Sequence, residues 1–447
     1  MGDDPFLAKE ITPKKPKDKK RKKKKRGGRK KKLTADQILA YKAVNEWVYL
    51  EQQQQTCPLV SSGSDSIVVV DDDFGVQKIT ASCRERVVFE LHCHSKCSDG
   101  YLSPTKVVER AHANGVKVLS LTDHDTMAGI PEAIEAARKF GIKIIPGVEI
   151  STMYHSRNPE AEEPVHVLAY YSSCGPGKPE EVEKLLANIR DGRFFRAKDM
   201  VSKLNKLNFP VKWEQVAKIA GKGVAPGRMH VARAMVEGGY VENVKLAFAK
   251  YLHDDGPAYS TGSEPLAEET VKLIRETGGI AVLAHPWALK DPVAVIRKLK
   301  EAGLHGLEVY RSDGKLSVYS DLADVYGLLK LGGSDFHGRG GNCESELGSV
   351  NLPVLALHDF LNVARPIWCA AIKDIFDMYA AEPSDSNLAR ITHFGRAKIL
   401  KGTSPCAELI ERCLSIWLTN EERQNAEFEA LKMKLSQISI TQEGVCS

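Results

Sequence analysis

From Val87 onward the chain alternates short apolar runs with amphipathic stretches. VVFEL, VKVLSLT, IKIIPGVEIST and VHVLAYY read as buried strands. SPTKVVERAHANG and GIPEAIEAARKFG, between the first three, have helical spacing; the former has Ser103 as N-cap, Pro104 in the first turn and Gly115 as its stop. The alternation stops near residue 174, and residues 179–255 read as mostly helical with breaks in GKGVAPGR. It then resumes with LAEETVKLIRETGG as helix, IAVLAH as strand, DPVAVIRKLKEAG as helix, GLEVY as strand, KLSVYSDLADVYGLLK as helix and LGGSD as strand. Alternation at this spacing predicts parallel βα units. Seven or so strands are too many for a small open sheet and close to a barrel. The expected body is an α/β barrel over 86–372, carrying a small helical insertion at 175–262.

The flanks read differently. Residues 35–55 have helical periodicity, with Thr34 or Asp36 as the cap, and 56–84 form a Ser/Asp-rich linker. EPSDSN marks a second linker, and 406–438 hold one or two amphipathic helices, so 373–447 is expected to be a C-terminal helical extension. Residues 1–34 carry sixteen Lys/Arg against Asp3, Asp4, Glu10 and Asp18, a net +12. Such a run repels itself and cannot bury a core, so it is expected to be a disordered polybasic tail. The whole chain is +5, which leaves −7 on the remainder. A mildly acidic body is a poor general nucleic-acid surface, so any such affinity belongs to the tail. The ten cysteines are scattered over 447 residues, without the framework of a small secreted domain, and are expected to be reduced. No apolar run approaches a membrane span and no secretory signal is expected.

The candidate chemistry clusters at strand ends. His92 and His94 follow the first strand two apart, so both rings can face one ion, and Gly100 lets the loop turn Asp99 to the same cavity. The second strand ends at Asp123-His124-Asp125, the third at Glu149, and the fourth holds His166. IAVLAH ends at His285, and the last strand runs into Asp335-Phe336-His337. Singly, HxH, AHP or DFH is more often a capped or hydrogen-bonded histidine than a ligand. Six of thirteen histidines on or beside strands of one βα array reverse that weighting, because βα barrels place their chemistry at that rim. Imidazole and carboxylate suit Zn, Mn or Fe, and a carboxylate can bridge two ions. The set (His92, His94, Asp99, His124, Glu149, His166, His285, Asp335 and His337) is too large for one ion. Adjacent ions suit phosphate-ester hydrolysis, since they generate hydroxide at neutral pH and stabilise attacking and leaving oxygens. Cys93 and Cys97 read as packing residues, Cys93 pointing away from its histidine neighbours.

HCHSKCSDG, LTDHDT, PGVEIS, HVLAYY, AHP and GGSDFHG together resemble the PHP (polymerase and histidinol phosphatase) superfamily over roughly 86–370, most closely its TrpH-like branch of nucleoside 3′,5′-bisphosphate phosphatases and RNase AM-type 5′-to-3′ exoribonucleases. The resemblance implies a distorted (β/α)7 TIM-like barrel with two to three divalent ions: Mn, or alternatively Zn, Fe or Mg. It places His92, His94, Glu149 and Asp335 on the first ion; Glu149, His166 and His285 on the second; and Asp99, His124 and His337 on the third. In the branch, the helical insertion walls the substrate cleft. Trp287-Ala288-Leu289 departs from the Arg-Tyr often found after AHP.

The expected reaction is in-line displacement at phosphorus, with Asp123 and Asp125 hydrogen-bonded to ligand histidines and His337 or a metal-bound water assisting the leaving alkoxide. A second phosphate needs a basic site in the insertion. Arg193 and Arg196 share a helix face, and Arg228 and His230 follow Pro226-Gly227 at a helix start. The expected substrates are nucleotides or short 5′-phosphorylated RNA. The alternatives are a histidinol-phosphate-type phosphatase and, from another class, a nuclear nucleic-acid-binding or scaffold protein with an inactive barrel. Residues 14–32 read as a signal for the nuclear import machinery, giving a nuclear location with a cytoplasmic pool also compatible.

Overall fold

The computed structural model describes residues 33–49, 87–155, 162–313, 318–340, 344–394 and 426–443. The expectations for the polybasic tail through residue 32, the linker at 56–84 and most of 406–438 lie outside the described residues.

Seven strands stand in chain order in one curled sheet: β1 (Val88–Glu90), β2 (Val116–Leu121), β3 (Lys143–His155), β4 (Glu162–Tyr170), β5 (Ile280–Leu283), β6 (Gly306–Glu308) and β7 (Leu329–Leu331). Beyond the strand ends, the two edges meet: His94 N donates to Phe336 O at 2.8 Å and Asp335 N to His92 O at 2.9 Å. This is the expected distorted barrel, with one correction. β4 is antiparallel to both β3 and β5, whereas the alternation predicted only parallel units. Tyr154 pairs directly with Glu163, so the chain reverses direction between the two strands. The final strand also ends earlier than expected: β7 stops at Leu331, and Gly332–Asp335 is the loop that follows it.

The helices form where caps and spacing predict. Thr34 and Gln37 make a capping box on α1 (Ala35–Val48). Ser103 accepts from Lys106 N at the start of α2 (Pro104–Ala113), and Gly141 closes α3 (Ile130–Phe140) with φ 62°. α4 (Pro179–Lys206), α5 (Trp213–Ala220), α6 (Arg228–Glu237) and α7 (Val244–Ala247) make up the insertion, which has its own apolar cluster around Leu204, Val216, Val231 and Met235. α8 (Ala267–Glu276), α9 (Pro292–Ala302) and α10 (Tyr319–Tyr326) return to the barrel wall. α11 (Val354–Ala381) runs through the boundary expected at 372; α12 (Asp385–Ile391) and α13 (Ala426–Glu443) follow.

Period-two alternation sorts the barrel's faces. Ile144, Val148, Ile150, Val165 and Val167 face the surrounding helices. Ile145, Leu168, Tyr170 and Val282 belong to the other cluster, as does the inner face of α11 through Phe360, Trp368 and Ile372. Glu149 and His166 share the parity of that second set, so the same inner face is apolar at one end and carries the candidate chemistry at the other. α11 and α1 close the apolar end: Trp368 Nε1 donates to Tyr170 O at 3.2 Å, and Lys143 Nζ, at the start of β3, donates to Trp47 O at 2.7 Å. The helix read in the sequence at 35–55 runs from Ala35 to Val48 and is part of the barrel's core, with Trp47 fully buried. No described helix is long and apolar enough to cross a membrane.

Candidate metal centre

The loop after β1 is built around a buried carboxylate. Asp123 accepts from Ser95 N and Ser95 Oγ, both at 2.7 Å, and from Ser98 Oγ at 2.6 Å. Gly100 N closes the turn on Ser95 O at 2.9 Å, and a Cβ there would stand 2.7 Å from that oxygen, so only glycine fits. His92 and His94 are thereby held on the inner face with no exposure, while Cys93 turns outward and donates to Ser120 O.

Glu149 is the hub. Its Oε2 lies 3.3 Å from His92 Nε2, 3.1 Å from His94 Nε2 and 3.2 Å from His124 Nδ1. Its Oε1 lies 2.9 Å from His166 Nδ1 and 3.0 Å from His285 Nε2. Asp335 Oδ1 sits 3.4 and 3.2 Å from the same nitrogens of His92 and His94. Asp99 Oδ1 is 3.2 Å from His337 Nε2 and 4.0 Å from His124 Nε2. All nine side chains singled out in the sequence thus meet in one place.

Their geometry suits cations rather than one another. His92 Nε2, both nitrogens of His94, His124 Nδ1, Asp99 Oδ1 and Glu149 Oε2 are buried yet make no hydrogen bond, although charged neighbours stand within 3.4 Å. The atoms converge without aligning as donor and acceptor pairs. Three groups have donor atoms within 4.8 Å of each other: His92, His94, Glu149 and Asp335; His124, Glu149 and His166; and His94, Asp99, His124 and His337. They correspond to the three ligand sets that the resemblance implies, except that His124 joins the second group and His94 the third; His285 reaches the second through Glu149. Burial opposes charge on Glu149, but His124, His92 and His166 hold it well below the usual carboxylate range. Burial likewise opposes charge on Asp99, and His337 holds it low. Burial alone would depress His94, yet Asp335 and Glu149 push it up to about 10. The carboxylate charge favours a positive partner, proton or metal ion.

Asp123 and Asp125 do not take the role assigned to them, hydrogen bonding to ligand histidines. They flank His124 and point away from it. Asp123 holds the serines of the first loop. Asp125 accepts from Ser151 N at 2.7 Å and Ser151 Oγ at 3.0 Å, and pairs with Arg193 Nε at 2.6 Å. The histidine-orienting residue is Glu308, at the end of β6. Its Oε1 lies 3.1 Å from His92 Nδ1, and its Oε2 accepts from His285 N at 2.8 Å. Glu90 was missed as well. It is buried and accepts from the backbone N–H of His92, Ser334 and Gly348, tying the first and last strands together. Burial raises its carboxyl despite these donors. The readable signal for both was one acid inside an otherwise apolar strand, in VVFEL and GLEVY. Three of the five described non-glycine residues with positive φ belong to the centre: Asp125 at 53°, His285 at 29° and Asp335 at 52°. Backbone strain of this kind concentrates at functional sites.

A cavity of about 150 Å³ opens beside the centre, lined by Asp99, His124, His166, Arg193, Arg196 and Arg228, with Met200, Met229 and Phe248. The three arginines expected to bind substrate are therefore together, each ion-paired: Arg193 to Asp125, Arg196 to Glu264 at 2.5 Å and Arg228 to Asp254 at 2.5 Å. His230 stands apart from these arginines: its Nδ1 accepts from Gly227 N at 2.9 Å, at the start of α6. It lines a second, larger cavity of about 330 Å³, which shares Asp99, His124 and Arg193 with the first.

A carboxylate-bridged histidine cluster at one rim of a barrel, beside an arginine-lined cleft, defines a metal-dependent hydrolase. Residues 90–210 match the PHP domain family. The chain is 35% identical over 257 residues to a 5′-3′ exoribonuclease of Haemophilus influenzae, covering 56% of this chain and 89% of that one. It is 32% identical over 288 residues to a 3′,5′-nucleoside bisphosphate phosphatase of Chromobacterium violaceum, covering 62% and 94%. Among solved structures, it superposes on a metal-dependent phosphoesterase of Bifidobacterium adolescentis with a TM-score of 0.53 at 29% identity, over 61% of this chain and 95% of that one. The chain belongs to the PHP-domain family and is a metal-dependent hydrolase of phosphate esters.

Proposed function

We propose that the substrates are nucleotides: the 3′-phosphate of nucleoside 3′,5′-bisphosphates is removed, short 5′-phosphorylated RNA is trimmed from its 5′ end, or both. The observation that carries this reading is the arginine-lined cavity sharing Asp99, His124 and His166 with the metal centre. A substrate cleaved at the centre has a second anion site within reach, and Met200, Met229 and Phe248 offer apolar contact to a nucleoside between the two. The names of the Haemophilus and Chromobacterium relatives point the same way.

In this reading two to three divalent ions, Mn foremost, would be held by the three ligand groups, in two of which Glu149 takes part. When bound, such ions supply a nucleophile at neutral pH and offset the charge that develops on phosphoryl oxygens. Arg193, steadied by Asp125, and Arg196 and Arg228, steadied by Glu264 and Asp254, orient the distal phosphate through forked, charge-assisted hydrogen bonds. His337 Nδ1 lies 2.9 Å from Asp335 O; donation there leaves Nε2 bare beside Asp99. That tautomer favours His337 as a ligand over a proton donor. Residues 14–32 act as a nuclear import signal, a role supported by their charge.

The test is a panel of adenosine 3′,5′-bisphosphate, 5′-phosphorylated RNA and histidinol phosphate, each with Mn, Mg and Zn separately. Turnover of either nucleotide is expected. Appreciable turnover of histidinol phosphate alone would sink the nucleotide reading. Loss of nuclear retention on deleting residues 1–34 is expected; unchanged retention rules out the targeting role.

A further inference from the structure

The second cavity is the larger of the two that meet at the metal centre, and the proposal above gives it no task. It lies between the loop after β1, α4 and the loop before α6, with walls from Lys96, Ser98, Thr126, Arg190 and Lys222. Asp99, His124 and Arg193 line both cavities, so the two open from one set of candidate ligands. A displacement at phosphorus keeps attacking and leaving groups roughly in line. The attacking oxygen stands opposite the leaving one, but a phosphodiester also carries chain on a second ester oxygen, so its cleavage needs room for chain in two directions, which a phosphate monoester does not.

Charge distinguishes them. Every arginine of the first cavity has a carboxylate partner at 2.5–2.6 Å. Lys96 and Lys222 have no ion pair among the described residues, and both are exposed. The uncompensated positive charge is thus in the second cavity. Lys222 is presented by a turn in which Gly221 and Gly223 take φ 96° and 82°, angles that favour glycine. The lining holds no Phe, Tyr or Trp on which a base could stack, in contrast to Phe248 in the first cavity. Long flexible cations without a stacking ring suit a sugar–phosphate backbone and ignore base identity.

We propose that the second cavity seats the phosphodiester backbone of an oligonucleotide beyond the scissile phosphate, with Lys96 and Lys222 as its phosphate contacts. The inference rests on the nucleotide reading of the same centre, and deepens it by naming the residues that hold the chain beyond the scissile phosphate without regard to base identity.

The experiment uses the full chain carrying Lys96→Ala and Lys222→Ala together, with Lys96→Arg and Lys222→Arg as the charge-preserving control. The first readout is the ratio of kcat/KM for a 5′-phosphorylated pentanucleotide to that for adenosine 3′,5′-bisphosphate. The double alanine variant is expected to lower this ratio about tenfold, one decade being roughly 1.4 kcal/mol. It should also flatten the dependence of log(kcat/KM) on log salt by about 1.4, two contacts at roughly 0.7 each. The arginine variant should restore the ratio. A ratio unchanged by the alanines, or one that the arginines fail to restore, overturns the proposal. The second readout is inhibition of bis(p-nitrophenyl) phosphate hydrolysis by a phosphorothioate trinucleotide, which counts only binding that reaches the centre and not binding to the polybasic tail. A Ki raised about tenfold in the alanine variant supports the cavity assignment even if neither nucleotide is turned over, an outcome that would instead remove the nucleotide reading. An unchanged Ki overturns the assignment independently.

Discussion

Glu308→Gln isolates what orients the histidines. The wild-type carboxylate uses both oxygens, one 3.1 Å from His92 Nδ1 and one 2.8 Å from His285 N, and the side chain is 3% exposed. Glutamine preserves the shape but turns one acceptor into a donor. If the NH2 faces His285, two donors meet and a buried N–H loses its partner, a cost of about 1–3 kcal/mol. If it faces His92, it donates to Nδ1 and drives the ring proton onto Nε2, the atom 3.3 Å from Glu149 Oε2. A protonated nitrogen cannot be a metal ligand. Either arrangement weakens metal binding, and loss of such an outer partner typically costs tenfold to a hundredfold in affinity, roughly 1.4–2.7 kcal/mol. The assay is activity against buffered free metal, beside a competition titration with a chromophoric chelator. Half-saturation is expected to rise by about one to two decades while kcat at saturating metal falls less. Unchanged half-saturation in a folded variant would refute the reasoning, because it would mean that His92 is oriented by something else.

Asp125→Asn keeps a residue type that tolerates the φ of 53° but removes the carboxylate charge paired with Arg193, and KM for adenosine 3′,5′-bisphosphate should rise about tenfold with little change in kcat; steady-state kinetics showing a fall in kcat alone would contradict the positioning role. Trp47→Ala empties a fully buried site between α1 and β1 and should cost about 3–5 kcal/mol in urea unfolding, whereas a loss below about 1 kcal/mol would place α1 outside the cooperative core. Burial first, then Arg275 and Lys300, depresses His305 from 6.5 to about 4. The unfolded chain binds the extra proton between those values, so the stability this histidine contributes is full above pH 6.5 and is lost as pH falls toward 4. His305→Gln retains an acceptor for Ala281 N, and thermal melts should show a shallower loss across that window; a parallel pH profile would refute the assignment.

The readable parts of this chain were those recorded by local periodicity. Strand runs, capped helices and histidines spaced two apart all leave marks within ten residues. Strand direction leaves none, and the antiparallel β4 was betrayed only by the missing helix before Glu162. The same alternation that placed His92 and His94 together should have placed Asp123 and Asp125 on the face opposite His124. Their adjacency in sequence suggested a contact that the backbone geometry forbids. Glu90 and Glu308 were hidden because a single acid in an apolar strand reads as an exposed residue until the strand's other neighbours are known. The boundary at 372 fell inside α11, a helix that continues through an interior proline, Pro366, and packs on the barrel, α1 and α13 well beyond that point.

Sorting the acids at and behind the rim by what balances them shows why it calls for cations. Glu90 is met by three backbone N–H groups and Asp123 by one N–H and two hydroxyls. Asp125 has an arginine and the N–H and hydroxyl of Ser151, and Glu308 an N–H and a ring nitrogen. Each of these four sits behind the ligands and shapes the rim. Asp99, Glu149 and the half-exposed Asp335 face the centre, where their carboxylates meet imidazoles among the described residues. An imidazole offers one proton-bearing nitrogen when neutral, too little to balance three carboxylates set side by side, and protonating several rings packed 4.2–5.2 Å apart sets like charges against each other. Divalent ions resolve both conflicts, since they neutralise the carboxylates and take neutral imidazole as ligand. The division of labour among these seven acids is therefore itself the argument for a cation-binding centre: four hold loops and rings in place, and three are left facing a cluster of imidazoles.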